Sequence, residues 1–190
     1  VFSGTNAAKV INQAIQSIPL TQGGDIRIRS GEYELTESIL IDRHGITISG
    51  DGRKTSTYGG ASYMKAIKDI DMLIVRMDGE RIRGVTIRDI SFYGSGTSNG
   101  KSGIHAIGCS DLMVISNVGV YQCETGIYLQ GGSVGAVDAA QLQFIDPQQC
   151  GRGLVLEYCH YTKVFGGEFS DNKCNSLPEN MQTGIYLTSN

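Results

Sequence analysis

A four-residue pattern that occurs four times limits what this chain can fold into. Gly103-Ile104-His105-Ala106 recurs as Gly126-Ile127-Tyr128-Leu129, Gly153-Leu154-Val155-Leu156 and Gly184-Ile185-Tyr186-Leu187, with the glycines 23, 27 and 31 residues apart. Cys123, Cys150 and Cys174 precede the last three copies. A third family lies between these markers: Ile90-Ser91-Phe92, Val118-Gly119-Val120, Leu142-Gln143-Phe144 and Gly167-Glu168-Phe169. Landmarks that keep their order while loops absorb length differences are the mark of stacked repeats. Coils of this size suit a solenoid with three strands per turn. A leucine-rich repeat would need a Leu/Asn consensus that is missing, and a propeller blade would need about 40 residues with hairpins. The expected fold class is all-β, a right-handed parallel β-helix (three-sheet solenoid) with an N-terminal capping α-helix.

That helix is read from Ala7, Val10, Ile11, Ala14, Ile15 and Ile18, which recur at spacings of three and four and form one stripe. Thr5 or Asn6 can cap its start, and Pro19 marks its stop. The remainder is β-rich runs such as Ile26-Arg27-Ile28, Ile46-Thr47-Ile48 and Met72-Leu73-Ile74-Val75, with loops expected at 53–65 and 95–102. Two units follow: a capping segment over 1–22 and a parallel β-helix over 23–190. The β-helix is expected to be truncated at its C-terminal end, because Thr183-Gly184-Ile185-Tyr186-Leu187 resembles the opening of another coil. A solenoid exposes an unpaired edge and open core at each end, which gives the helix its task.

Composition narrows the partners. The 26 glycines and 3 prolines suit many short strands joined by tight turns. A net charge of −3 gives no reason to expect nucleic acid, whose phosphates call for a basic face. No run approaches the roughly 20 apolar residues that span a bilayer, so no membrane partner is expected. The five cysteines lack the close CxxC pairs of zinc or thioredoxin sites, so free buried thiols and a reducing place of synthesis are expected. Neither a metal nor a cofactor is expected.

The amino-terminal motifs carry a family resemblance. Ala8-x-x-Ile11-x-x-Ala14-Ile15 comes first, then Gly23-Gly24-Asp25-Ile26-Arg27-Ile28, Gly31-Glu32-Tyr33 and Ile46-Thr47-Ile48-Ser49-Gly50-Asp51-Gly52. Together these resemble the start of the pectate-lyase-like (pectin-lyase fold) superfamily, of the phage tail-spike type. Arg29-Ser30 stands where that family usually has Pro-Ala, while the turn Gly31 and Tyr33 remain. The motifs cover roughly residues 5–60 and bear on fold more than function. The N-x-D, D-D, G-H-G and R-x-K signatures of the polygalacturonases are missing: Gly103-Ile104-His105 is not G-H-G, and Asp69-Ile70-Asp71 is not an adjacent acid pair. No acid cluster of the calcium-dependent lyase kind is legible.

Alternation along a strand sends every second residue outward. Ile104, Ile127, Leu154 and Ile185 then stack inside, and His105, Tyr128, Val155 and Tyr186 form an outer column. Ile107, Gln130, Glu157 and Thr188 take the next outward position. His105, Tyr128, Glu157 and Tyr186 are therefore the candidate substrate-binding residues. The tyrosines could stack on sugar rings; burial against a neighbouring subunit, or plain surface, stays open. Glycoside hydrolysis needs two carboxyl groups roughly 5–10 Å apart. Glu168, Asp171 and Asp146 are the catalytic candidates, with Asp146 and Asp171 expected at the turn after the third strand. Asp51 is expected to serve a turn through a left-handed backbone.

The resemblance implies a viral (bacteriophage) tail spike or related virion appendage that binds, and in some relatives degrades, bacterial surface polysaccharide as a homotrimer. The alternatives are a secreted, extracellular polysaccharide lyase, hydrolase or epimerase, and a structural or adhesive repeat protein.

Overall fold

The computed structural model describes Gly4 and residues 6–54, 61–99, 101–173 and 184–188. Its only helix among these is α1 (Ala7–Ser17). Asn6 is the cap, its side chain accepting from the Lys9 N–H at 3.0 Å, which satisfies one of the free donors of the first turn. Ile18 leaves the helix one residue before Pro19, because a residue preceding proline is driven toward extended backbone. Arg43, almost fully buried, donates to the Ile18 carbonyl and to the Gln16 side chain. A cation there suits the negative end of the helix dipole. Ala8, Ile11 and Ile15 bury their side chains in the common core.

All else is strand and turn, and every pairing between named strands is parallel. One sheet has six strands: β3 (Ile39–Ile41), β6 (Leu73–Val75), β9 (Ser102–Ile107), β12 (Thr125–Gln130), β15 (Arg152–Glu157) and β18 (Ile185–Thr188), neighbouring in that order. The second has eight: β1 (Gly24–Arg27), β4 (Ile46–Ser49), β8 (Thr86–Tyr93), β11 (Val114–Tyr121), β14 (Gln141–Gln148) and β17 (Lys163–Gly167), with β5 (Ser62–Ala66) paired onto the later half of β8 and β2 (Gly31–Leu35) onto β5. Two short ladders join β7 (Ile82–Arg83) to β10 (Cys109–Ser110) and β13 (Val137–Asp138) to β16 (Cys159–His160). Parallel strands stacked in two long sheets and two short ladders are consistent with a solenoid. The helix packs on β1, β2 and β3, the first coil.

The repeated pattern falls into register as the sequence implies. Ile104 pairs with Ile127, Ile127 with Leu154 and Leu154 with Ile185. The first three are fully buried, whereas Ile185 and Leu187, on the last described strand, are 45% and 69% exposed. Cys123 and Cys150 are buried free thiols; Cys174 lies outside the described residues, as do parts of the loops expected at 53–65 and 95–102.

One expected register is corrected. Leu142-Gln143-Phe144 is not the counterpart of Val118-Gly119-Val120. Gly119 pairs with Asp146 and Val120 with Pro147, so the matching triplet is Ile145-Asp146-Pro147. The cause is a bend inside the eight-residue strands. Asp89, Asn117 and Phe144 have φ of 57°, 52° and 51°, and Gly166 follows with 63°. A left-handed residue interrupts the alternation, so Leu142 and Ile145, three apart, both face inward. Asp146 consequently sits within β14 rather than at a turn after it. Asp51 is corrected as well. It is not among the residues with positive φ, which falls instead to Gly52 at 145°.

Candidate functional site

The outer face of the six-stranded sheet carries a connected polar row. His105 lies on β9, Tyr128 and Gln130 on β12, and Glu157 on β15, so neighbours are about 4.8 Å apart across the ladder. Their side chains bond along the axis of the stack. Asp71 Oδ2 lies 3.5 Å from His105 Nδ1, and His105 Nε2 lies 3.0 Å from Gln130 Oε1. Gln130 Nε2 donates to Glu157 Oε2 at 3.4 Å, and the Tyr128 hydroxyl donates to the same oxygen. The Ser102 N–H, donating to Asp71 Oδ1 at 2.7 Å, anchors the amino-terminal end of the row.

The two rings stack on each other. Their centroids are 4.7 Å apart and their planes differ by 8°. The faces that meet are therefore occupied, both imidazole nitrogens are already partnered, and what the pair offers a ligand is mainly ring edges and the acceptor side of the Tyr128 hydroxyl. Val155, expected outward, is only 2% exposed. It lies in register between Tyr128 and Tyr186, where a small apolar side chain is covered by larger neighbours. Tyr186 itself is half-buried.

Electrostatics set the roles in the row. Burial works to raise the Asp71 carboxyl, but hydrogen bonds from His105 and the Ser102 N–H, with the charges of His105 and Lys101, outweigh it and hold the group below its ordinary value. The Tyr128 phenol is pushed well up, first by burial and then by the hydrogen bond to Glu157 and that residue's charge. It therefore stays protonated near neutrality and acts as a donor.

The three catalytic candidates fall elsewhere. Asp146 is 4% exposed on the later half of β14. It accepts from the Tyr121 hydroxyl at 3.1 Å and from Gln148 Nε2 at 2.6 Å, and pairs with Arg53 at 3.1 Å. The Tyr121 hydroxyl also lies 3.2 Å from the Lys54 carbonyl, and the Lys54 N–H donates to Ser91 Oγ at 2.8 Å. Residues 53 and 54 are thus strapped across this face, and Asp146 serves as their buried anchor. Glu168, which is exposed, follows Gly167, the partner of Ile145, and so continues the column of Asp146 on the next coil. Asp171 has φ of 53°, like Gln122 at 52° and Gln149 at 54°, and forms a corner with them. The structure thus brings Asp146 and Glu168 to one column and gives Asp171 a corner position.

The sequence did not single out Asp71, Arg53 or Tyr121. Each lies in or next to a connecting loop, or makes contacts that only the stacking of distant coils creates. Asp71 and His105 are 34 residues apart, and Tyr121 and Lys54 are 67 apart. Among the described residues, no group of three His, Cys, Asp or Glu side chains is placed to share a metal ion, and no helix is long and apolar enough to cross a membrane. Comparison with protein-family models, curated proteins and solved structures gave no match for this chain.

Proposed function

We propose that the chain is part of a right-handed parallel β-helix of the pectate-lyase-like, tail-spike type, and that the outer face of its six-stranded sheet binds bacterial surface polysaccharide. The observation that carries this reading is the row Asp71–His105–Gln130–Glu157–Tyr128. It places carboxylate acceptors, amide donors and acceptors, a phenol and an imidazole along at least three successive strands, at the spacing of the ladder. A polysaccharide is itself a repeating row of hydroxyls that both donate and accept, so a periodic face with both kinds of group suits it. Two connections flank the row. Residues 94–99 precede β9, and 131–136 follow β12, with Gly132 and Gly135 bridged antiparallel. Such loops can wall a groove on a rigid scaffold. The amino-terminal motifs and the helix seated on the first coil support the family reading.

The proposed setting is a virion tail, with the chain in a homotrimer, since closed symmetry lets one long face be buried while another stays free. Binding, rather than cleavage, is the activity proposed. Asp146 is tied to Arg53, Tyr121 and Gln148, and the Tyr128 phenol is held protonated.

The test is binding of purified bacterial capsular and lipopolysaccharide glycans to the parent chain and to a Gln130→Ala/Glu157→Gln variant. The variant is expected to bind about tenfold more weakly, the scale of one or two lost hydrogen bonds. Equal binding by parent and variant, or no binding by the parent, would overturn the proposal. Light scattering of the protein in solution should give three times the chain mass.

A further inference from the structure

We propose that a second saccharide-binding cleft, specific for neutral sugars, lies along the bend of the eight-stranded sheet, away from the six-stranded face. A cleft of about 400 Å³ is lined there by Arg27, Ser49, Asp51, Arg88, Asp89 and Asn117. That volume falls within the roughly 300–1,000 Å³ of small-molecule sites. Arg27, Ser49 and Arg88 are register partners on β1, β4 and β8. The backbone positions of the two arginines therefore stand two strand spacings apart, about 10 Å, with the serine between them.

The charges balance within the cleft. Asp51 Oδ1 accepts from Arg27 Nε and Nη2 at 3.0 and 2.9 Å, and its Oδ2 accepts from the Ser30 N–H at 2.9 Å. Asp89 accepts from Arg88 Nη1 at 3.0 Å and from Asn117 Nδ2 at 2.8 Å. Two cations and two anions leave no net charge, so an anionic ligand drawn by one guanidinium would meet a carboxylate beside it. Hydroxyl groups are different: they donate to Asp and accept from Arg, and planar carboxylate, amide and guanidinium groups offer both functions in fixed directions. Neighbouring hydroxyls on a neutral sugar ring match that arrangement.

The second observation is Phe144. It follows Asp89 and Asn117 in the same left-handed column, on the next coil. Asp and Asn tolerate this backbone, whereas a bulky aromatic residue rarely adopts it. Phe144 is nevertheless 65% exposed, with its ring against Gly166, where a Cβ would come within 3.1 Å of it. An exposed aromatic held at a cost in backbone strain points to function. The ring lies outside the lining of the cleft, one strand past Asn117, where it would extend the polar site with a flat apolar platform. From Arg27 to Phe144 the site spans four strand spacings, about 19 Å, the length of a short oligosaccharide.

The test is calorimetric titration of the chain with cellohexaose, maltohexaose and mannohexaose, with hexagalacturonate as the charged control. At least one neutral hexaose should bind, and hexagalacturonate should not. Arg88→Ala and Phe144→Asn should each weaken binding about tenfold. The asparagine keeps a residue suited to the left-handed backbone, so the second variant should melt no lower than the parent. Glu157→Gln, on the six-stranded face, should bind the neutral hexaose like the parent. If no neutral hexaose binds, or if Arg88→Ala and Phe144→Asn bind like the parent, the cleft assignment is wrong. If only Glu157→Gln loses binding, the cleft is likewise wrong while the polysaccharide role of the other face stands.

Discussion

Shortening Ile127 to alanine should expose how the stack is held together. Ile127 is fully buried, with Ile104 and Leu154 as its register partners on either side. Removing three carbons forfeits their transfer free energy and leaves a void; large-to-alanine changes of this kind cost about 2–5 kcal/mol, depending on how far the site collapses. Collapse is restricted here. The backbone ladders fix neighbouring strands about 4.8 Å apart, so Ile104 and Leu154 cannot close over the gap without breaking hydrogen bonds. A loss in the upper half of that range, about 3–4 kcal/mol, is expected. Ile185→Ala is the internal control. It occupies the same column but is 45% exposed, so it forfeits less burial and should cost under about 1.5 kcal/mol. Urea unfolding followed by circular dichroism reads both. With a slope near 2–3 kcal/mol/M, Ile127→Ala should lower the midpoint by about 1–2 M and Ile185→Ala by less than about 0.75 M. The slope must stay constant, since repeat arrays can lose cooperativity. If Ile127→Ala costs less than about 1 kcal/mol, or no more than Ile185→Ala, the two do not share a packed column as described.

Other perturbations probe other parts of the molecule. Arg53→Ala should destabilise by about 2–4 kcal/mol, because it leaves the carboxylate of Asp146 buried without its cation; Asp146→Asn combined with Arg53→Ala should recover part of that loss in a thermal melt. Asp71 has a folded-state value below its unfolded one, so its contribution is fully present above about pH 4 and disappears as pH falls through the lower folded value. His105→Ala should weaken the stability gained between those two values, which denaturation curves from pH 2 to 6 would show. Burial pushes the Cys109 thiol up to about 12 and the Cys159 thiol to about 11. At pH 8 both should react slowly with a thiol reagent in the native protein, and all five cysteines of the chain should react once it is denatured.

How much of this was legible in the sequence depends on whether the signal is local. The glycine-led repeat fixed the register of Ile104, Ile127, Leu154 and Ile185, because one glycine and two alternating apolar residues define a strand and its buried side. The helix is equally clear, and of the two capping residues the sequence offers, Thr5 and Asn6, Asn6 is the one whose side chain accepts from the Lys9 N–H. The eight-residue strands were harder. Phe144 bears no turn signal, yet it takes the left-handed bend that Asp89 and Asn117 take on the preceding coils. Apolar–polar–apolar Leu142-Gln143-Phe144 therefore passed for a copy three residues too early. The candidate site was legible as a column of outward residues, but not as a network. Whether His105 and Tyr128 would stack on each other or on a ligand depends on side-chain torsions, and the contribution of Asp71 depends on a loop approaching from another coil. Val155 also shows that alternation predicts direction, not exposure.

The central claim is that the row on the six-stranded sheet is a polysaccharide-binding face. The most direct measurement is an amide exchange footprint on the chain with and without an oligosaccharide released from a bacterial surface glycan that it binds. Protection should appear on β9, β12 and β15 together, at His105, Tyr128, Gln130 and Glu157, and should be absent from the Gln130→Ala/Glu157→Gln variant. Protection confined to other strands, or protection that persists unchanged in the variant, would contradict the claim.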